Sequence, residues 1–246
     1  KYNPNVVTRI HAGNGALLAE YATEKRVFVP INVIPKKLIN AFISAEDKDF
    51  YNHFGLDLKA TLRAVITNIK NIGSQKRLIG AATITQQVAK NFLLSSEVSF
   101  DRKIKEAILS IRIERAFSKN EILELYLNEI YLGFGSYGVA AAALNYFDKS
   151  LDNLDLAEVA FLAALPKAPN NYHPIKNYNQ AVQRRNWVLS QMNRNGFIND
   201  DVQETESLKL LKIQNSSGFD EEYAPYFTEE VRRILIDNEK IGEKLY

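Results

Sequence analysis

The spacing of apolar residues divides the chain into a short front section and a long helical body. Residues 8–12 and 16–22 lie on either side of Gly13-Asn14-Gly15, a combination that predicts a β-hairpin, and residues 26–30 predict a third strand. After Pro35 the apolar positions recur every three or four residues, which is typical of helices. We therefore predict a mainly α fold with β structure only in the first thirty residues.

The first predicted helix begins at Pro35, a residue type favoured at the first helical position. Leu38, Phe42 and Glu46 then share one stripe at four-residue spacing. Glu46 therefore ends an apolar face, where partial burial is expected to raise the pKa of its carboxyl group.

Capping residues and periodicity predict the remaining helices. Thr83 with Gln86, and Ser118 with Glu121, form two capping-box signatures at helix starts. The predicted helices span 58–69, 83 onward, 101–117, 121–133, 139–147, 154–165 and 179–195, and a mobile loop is predicted at 71–80.

The helix predicted over 101–117 carries a candidate acid. Its residues Ile104, Ile108 and Ile111 are expected to face the core. Glu106 lies on a different stripe of the same helix, behind two cationic residues.

The distribution of charge changes this picture more than its total does. The net charge is +2, but residues 58–96 contain no Asp or Glu. The same span carries six cationic residues, Lys59, Arg63, Lys70, Lys76, Arg77 and Lys90. A carboxylate beside such a run suits a base acting on an anionic substrate, such as a phosphate or pyrophosphate. The acidic stretch from residue 199 onward argues against a surface covered by nucleic acid.

Composition excludes several chemistries. The chain of 246 residues is long enough for one large or two small domains. It has no cysteine, which excludes disulfides, thiolate catalysis and Cys-ligated zinc. Its three histidines are widely spaced without an HExxH pattern, so a His-based metal site is not expected. The chain starts at Lys1 and has no apolar run of membrane-spanning length, so we expect a piece of a longer protein whose anchor lies elsewhere.

Two glutamates are the candidates for chemistry. Glu46 could be an ordinary surface acid, but its apolar stripe favours a catalytic role. Glu106 could merely pair with Arg102 one helical turn away, a contact worth about 0.3–0.5 kcal/mol, which neither explains nor excludes a functional role.

The residues around these acids have simpler interpretations beside the functional one. Asp47, Phe50, His53 and Gly55 are interpreted as scaffolding, with His53 as a hydrogen-bonding residue and Gly55 in a turn. Thr83 is interpreted as a helix cap. Lys90, Arg102 and Lys103 would ordinarily form a solvated face, but the adjoining helix N-terminus favours a phosphate site.

Five segments carry a family resemblance. They are AEDKDFYNHFG, GAATITQQVAKN, RKIKEAILSIRIE, KNEILELYLNEIYLG and AAALNYFDKSLDNLDLAEVAFLAALPKAPNNYHP. They resemble the five ordered motifs of the family-51 peptidoglycan glycosyltransferases, the glycan-polymerising domain of class A penicillin-binding proteins. The match runs from about Ile34 to Pro174.

The resemblance implies a lysozyme-like α-helical fold with a second, membrane-associated lobe. It also implies an inverting transferase that polymerises lipid II, a disaccharide-pentapeptide on a polyprenyl pyrophosphate. Glu46 is then the base that deprotonates the acceptor 4-hydroxyl. Glu106 assists departure of the pyrophosphate, directly or through a divalent cation (Mg²⁺ or Mn²⁺). Residues matching the pyrophosphate-lining positions are Gln86, Gln87, Lys90, Arg102 and Lys103.

The same resemblance implies a domain order and a location. We expect a β-rich lead-in over 1–33, the glycosyltransferase domain over 34–198, and an acidic extension over 199–246 toward a transpeptidase domain outside this chain. The implied place of action is the outer, periplasmic face of the bacterial cytoplasmic membrane. The implied partners are the growing glycan chain, the membrane surface and proteins of cell-wall synthesis.

The sequence departs from the family pattern at three positions. Ala82 stands where the family usually has Ser, so one hydroxyl contact to substrate is missing or replaced. Asp148 replaces the Gly of the usual YFGK, and Val98 lies where relatives often carry a base. The two glutamates are unaffected.

Two rival functions remain open at this stage. A lysozyme-like hydrolase or lytic enzyme would cut glycan, and inverting hydrolysis would need a second, water-activating carboxylate but no pyrophosphate cradle. A non-catalytic membrane-associated scaffold would keep the fold without needing Glu46.

Overall fold

The computed structural model describes residues 8–11, 17–21, 25–71, 82–93 and 100–214. The predicted turn at Gly13-Asn14-Gly15, the loop prediction for 72–80, Val98 and the acidic stretch from residue 215 lie outside the described residues.

In the part of the chain that the structure describes, the β strands form short pairs. Strands β1 (Thr8–His11) and β2 (Leu17–Tyr21) form the predicted antiparallel pair. Strand β3 (Lys25–Arg26) pairs in parallel with β4 (Ser136–Tyr137). The strand predicted over 26–30 is therefore wrong beyond its first residue.

The segment after β3 bonds to side chains instead of a neighbouring strand. The Val29 N–H donates to Asn128 Oδ1 at 2.7 Å, and Asn128 Nδ2 donates to the Val29 carbonyl at 2.9 Å. The Ile31 N–H likewise donates to Glu124 Oε2 at 2.7 Å. Helical side chains thus satisfy backbone groups that a strand would have paired.

Helices make up most of the rest, as predicted. They are α1 (Lys36–Glu46), α2 (Leu58–Lys70), α3 (Ile84–Leu93), α4 (Phe100–Ala116), α5 (Lys119–Glu129), α6 (Val139–Phe147), α7 (Leu156–Ala164), α8 (Tyr178–Arg194) and α9 (Asp200–Leu208). The predicted capping box of α5 is present, with the Ser118 side chain accepting from the Glu121 N–H.

The core is built around α7. This helix is apolar on nearly all sides, and its residues from Val159 to Ala164 are fully buried between α1, α6 and α8. A helix that is hydrophobic all round belongs in the interior. Phe161 meets the rings of Tyr146 and Phe147 edge-on, so α6 and α7 pack through aromatic contacts.

The inner face of α4 differs from the prediction. Ile104 and Ile108 are 47% and 48% exposed, so the expectation that they face the core is wrong. The buried stripe instead runs through Glu106, Ser110 and Ile113. The apolar period of α4 predicts two different faces, but tertiary contacts decide which face is buried. In α4 the buried face carries the Glu106 carboxylate.

Helix α2 leaves an apolar stripe in contact with solvent. Leu58, Leu62, Ile66 and Ile69 share the predicted side and are 73%, 61%, 44% and 59% exposed. The described helices include none that is long and apolar enough to span a bilayer.

Candidate active site

One large cleft gathers most of the residues singled out in the sequence. Its volume is about 1020 Å³, and α1, α2, α3, α4 and α8 each contribute to its wall. Of the predicted site residues, it is lined by Glu46, Asp47, Thr83, Gln86, Gln87, Lys90, Arg102, Lys103 and Glu106. Phe50, His53 and Gly55 are not among the lining residues.

The cleft is cationic. Its charged lining consists of Lys48, Arg63, Lys90, Arg102, Lys103, Lys167 and Arg184 against Glu46, Asp47, Asp57 and Glu106. An excess of positive charge within low-dielectric walls concentrates anionic ligands. The charge pattern therefore agrees with the anion site that the acid-free span predicts.

Glu46 is the last residue of α1 and is held by one side-chain hydrogen bond. Gln87 Nε2 of α3 donates to Glu46 Oε2 at 2.9 Å. Burial raises the pKa of Glu46, as the apolar stripe predicts. The Gln87 hydrogen bond and the charges of Arg184 and Lys167 partly offset that rise in pKa. The carboxyl group is thus partly desolvated and accessible from the cleft, as a general base requires.

Asp47 lines the cleft and also anchors the loop after α1 to the start of α3. It accepts from the N–H of Ile84, the first residue of α3, at 3.0 Å. His53 Nε2 lies 3.0 Å from both carboxylate oxygens, and His53 Nδ1 accepts from the Gly55 N–H at 3.2 Å. This pattern assigns the donating proton to Nε2. The scaffolding interpretation of Asp47 and His53 fits these contacts.

Gly55 lies where the loop passes closest to α4. Its φ is +88°, and a Cβ atom there would be 2.8 Å from the backbone carbon and oxygen of Ser110. Thr83 Oγ1 donates to the Gly55 carbonyl at 2.7 Å, and Phe50 is fully buried beneath the loop. The loop that follows α1 is therefore packed closely against α4 and bonded to the start of α3.

The capping box of α3 also touches the second acid. The Gln86 N–H donates to Thr83 Oγ1 at 3.1 Å, and the Thr83 N–H donates to Gln86 Oε1 at 3.0 Å. Gln86 Nε2 then reaches Glu106 Oε1 at 3.4 Å. One glutamine side chain thus caps a helix and contacts a carboxylate of α4.

Glu106 is buried in the wall of the cleft. It is 1% exposed, and Lys103 Nζ lies 2.8 Å from its Oε1. Its Oε2 is buried without a hydrogen-bond partner. An unsatisfied carboxylate oxygen is costly and points to a ligand or water at this position.

A dedicated metal site is not evident among the described residues. They contain no group of three or more His, Asp or Glu residues placed to hold an ion. Mg²⁺ is often bound through one or two carboxylates together with substrate phosphates, and Glu106 would offer one carboxylate.

The structure adds residues that the sequence interpretation left out. Lys167 lies at the end of a short 3-10 helix after α7, and Arg184 and Trp187 come from α8. Lys167 is inside the fifth family-like segment, which was the available signal. Arg184 has no such signal, because it lies beyond that segment and an arginine in a helix is usually solvated.

Comparisons with known proteins identify the same family as the sequence motifs. The transglycosylase family model matches residues 14–193, and the chain belongs to that family. Penicillin-binding protein 1A of Rickettsia typhi is 48% identical over 246 residues, which is all of this chain and 31% of that protein. The protein of the same name from Aquifex aeolicus is 42% identical over 245 residues and is covered to 33%. The chain therefore spans about a third of the length of the curated relatives it matches.

A solved structure supports the fold directly. Penicillin-binding protein 1A of Haemophilus influenzae matches with a TM-score of 0.61 and 27% identity, over 98% of this chain and 25% of that one. The mainly α, lysozyme-like fold and the predicted family are both confirmed.

Proposed function

We propose that this chain is a peptidoglycan glycosyltransferase domain that polymerises lipid II by inverting transfer, with release of polyprenyl pyrophosphate. The observation that carries the proposal is that Glu46 and Glu106, from different helices, line one cationic cleft together with Lys90, Arg102 and Lys103. Membership of the transglycosylase family supports the same reaction.

Glu46 is the general base of the proposed reaction. Its carboxylate accepts the proton of the acceptor 4-hydroxyl as that oxygen attacks the anomeric carbon of the donor sugar. The bond from that carbon to the pyrophosphate oxygen breaks, and the electron pair leaves with the pyrophosphate. A single displacement inverts the anomeric centre. The Gln87 hydrogen bond to Glu46 Oε2 fixes the carboxylate for this transfer.

The cations near Glu106 stabilise the departing pyrophosphate. Lys103 is ion-paired to Glu106, which holds its ammonium group at the cleft wall. Lys90 and Arg102 line the same cleft. The N–H groups of Ile84 and Gln86 at the start of α3 already donate to Asp47 and Thr83, so side chains supply the positive charge. Preorganised positive charge at a leaving group lowers the barrier most when little rearrangement is needed.

The apolar stripe of α2 is the proposed membrane contact. Leu58, Leu62, Ile66 and Ile69 are exposed, and Lys59, Arg63 and Lys70 belong to the same helix. Apolar and cationic residues on one helix favour a surface of anionic lipid. The proposed place of action is the outer face of the cytoplasmic membrane, where a polyprenyl-linked substrate would be available to this surface.

The test is incubation of the protein with labelled lipid II in detergent. We expect polymer that lysozyme degrades, near-total loss of polymer for Glu46→Gln, and strong loss for Lys103→Met. Glu204→Gln, an exposed position on α9, is the matched control and should keep wild-type activity. Short hydrolysis products with a neutral Lys103→Met would favour a glycan hydrolase instead. Unchanged function in Glu46→Gln would favour a scaffold.

A further inference from the structure

Arg184 is a buried arginine that forms no ion pair with a carboxylate of the described residues. Its side chain lines the cleft, yet the residue is only 9% exposed. Its guanidinium lies over the Trp187 ring, 3.7 Å from the ring centroid, and its Nε is buried without a hydrogen-bond partner. Stacking on Trp187 fixes the guanidinium without neutralising it.

Arg184 of α8 and Glu46 of α1 line the same cleft, where these two helices pack against each other. Among the described side chains, Gln87 is the hydrogen-bond donor to the Glu46 carboxylate, and no ion pair joins Glu46 to Arg184. Arg184 is the charged group with the largest influence on Glu46, followed by Lys167, and both lower its pKa. Burial in turn lowers the pKa of both cations, although Arg184 is buried and Lys167 is exposed.

Several groups from different elements face Glu46. Asp47 follows it in the chain and its charge opposes ionisation of Glu46, as Coulomb repulsion requires. The Tyr126 hydroxyl of α5 is buried without a partner, and burial, followed by the charges of Glu46 and Asp47, raises the pKa of Tyr126. Gln87 comes from α3, Lys167 follows α7, and Arg184 comes from α8. Burial and the charge of Asp47 therefore raise the pKa of Glu46, whereas the Gln87 amide and the charges of Arg184 and Lys167 lower it.

We propose that Arg184 is a positioning residue that keeps the Glu46 carboxylate ionised without capturing it. This inference rests on the proposed function, in which Glu46 accepts a proton. A directly paired guanidinium would occupy the carboxylate oxygens and compete with the acceptor hydroxyl. A cation held on Trp187 supplies the favourable field and leaves those oxygens free.

The sign of the effect follows from the charges. Replacing Arg184 by a neutral residue removes a cation that favours ionised Glu46, so the pKa of Glu46 rises further. A higher pH is then needed to ionise the base, and the acidic side of the pH–rate profile moves upward. An opposite charge near a carboxylate favours its ionised form, so the direction of this shift is fixed by the sign of the charge that is removed.

The experiment measures kcat and KM for lipid II polymerisation between pH 5.5 and 9 in Arg184→Gln and Arg184→Lys. We expect Arg184→Gln to shift the acidic limb of kcat to higher pH and to recover most of the rate at high pH, because the base then needs a higher pH to ionise. Arg184→Lys keeps the charge and should keep the wild-type limb. Arg194→Gln, at the exposed end of the same helix, is the control and should leave the profile unchanged.

Other outcomes would overturn the inference. A loss of rate that is uniform across pH, or an increase in KM alone, would make Arg184 a structural or substrate-binding residue. An equal shift in Arg184→Lys would remove charge as the cause.

A second measurement does not depend on activity. Four proteins are unfolded at several pH values: wild type, Glu46→Gln, Arg184→Gln and the double variant. In each background, the free energy of unfolding of the Glu46 protein minus that of its Glu46→Gln counterpart reports the titration of Glu46. The pH at which this difference titrates should be higher in the Arg184→Gln background than with Arg184. An unchanged titration pH would contradict the inference. If wild-type protein makes no polymer but the titration moves, the proposed function fails and the electrostatic role of Arg184 stands.

Discussion

Gln86 and Gln87 are consecutive residues of α3, yet their side-chain amides donate to different carboxylates. Gln87 Nε2 reaches Glu46 Oε2 at 2.9 Å, and Gln86 Nε2 reaches Glu106 Oε1 at 3.4 Å. Successive helical residues point about 100° apart, so one turn of α3 can face both α1 and α4. The two candidate acids are therefore held relative to one another by a single turn of helix.

Removing the Gln87 amide should impair the base. Gln87→Leu leaves Glu46 without its donor and raises the pKa of Glu46, because that hydrogen bond lowers it. A hydrogen bond to a charged group is worth about 1.5–3 kcal/mol, so we expect roughly a ten- to hundredfold loss of rate at pH 7. The loss should shrink at higher pH, as initial rates of polymer formation would show. Gln183→Leu, on the exposed side of α8, should be neutral, and a pH-independent loss in Gln87→Leu would contradict this account.

The ionised form of Glu46 should lower the free energy of unfolding at neutral pH. Burial raises its pKa above the ordinary value of 4.5, so the folded protein binds its proton at pH values where the unfolded chain has released it. Its contribution to the free energy of unfolding therefore falls as pH rises through the folded pKa. Glu46→Gln should be more stable than wild type at pH 8, with a margin that vanishes toward pH 4. Denaturant unfolding at several pH values would measure it, and a constant margin would refute it.

Gly55 should tolerate no side chain, unlike a second glycine with similar backbone geometry. Both Gly55 and Gly196 have positive φ, +88° and +74°, but a Cβ on Gly196 meets nothing within 4 Å. Gly196→Ala then carries only the backbone penalty of about 1 kcal/mol, whereas Gly55→Ala adds a clash with the Ser110 backbone and should lose about 3 kcal/mol or more. Equal losses in thermal or urea unfolding would show that the close approach to α4 is not what requires glycine.

The α2 stripe should bind lipid without supporting the fold. Leu62 is 61% exposed, so Leu62→Gln should leave the melting temperature within about 1–2 °C, since exposed substitutions change stability little. Burial of a leucine side chain is worth about 1.5–3 kcal/mol, so affinity for vesicles of anionic lipid should fall about tenfold. Leu208→Gln on α9 is the control, because Leu208 is 79% exposed and lies outside the stripe. Equal effects of both substitutions in a vesicle co-sedimentation assay would argue against α2 as the contact.

The sequence carried enough information to predict the helices and most of the cleft. The stripe of Leu38 and Phe42 leads to Glu46, and the Thr83–Gln86 capping box places the start of α3 beside it. These signals are local, because a helical period and a cap depend on residues three or four apart. Family-like spacing supplied Glu106, which local patterns alone left ambiguous.

The residues that sequence reasoning missed depend on distant contacts. Ile104 and Ile108 look like core residues, yet they remain exposed because α4 turns Glu106 and Ser110 inward. Arg184 is brought to Glu46 by the packing of α8 against α1, across 138 positions of the chain (184 minus 46). No periodicity within α8 distinguishes an arginine that faces a cleft from one that faces water.

The neighbour of Arg184 sets a practical limit on where the polypeptide can be shortened. Arg185 is fully buried, and its guanidinium donates to the Ser207 carbonyl at 2.8 Å and to the Lys209 carbonyl at 2.7 Å. A truncation at residue 198 would remove both acceptors and the segment that covers Arg185, on the same turn of helix that presents Arg184 to the cleft. An expression fragment that ends after Lys209 would keep those acceptors, and one that ends sooner would be expected to lose solubility and activity together.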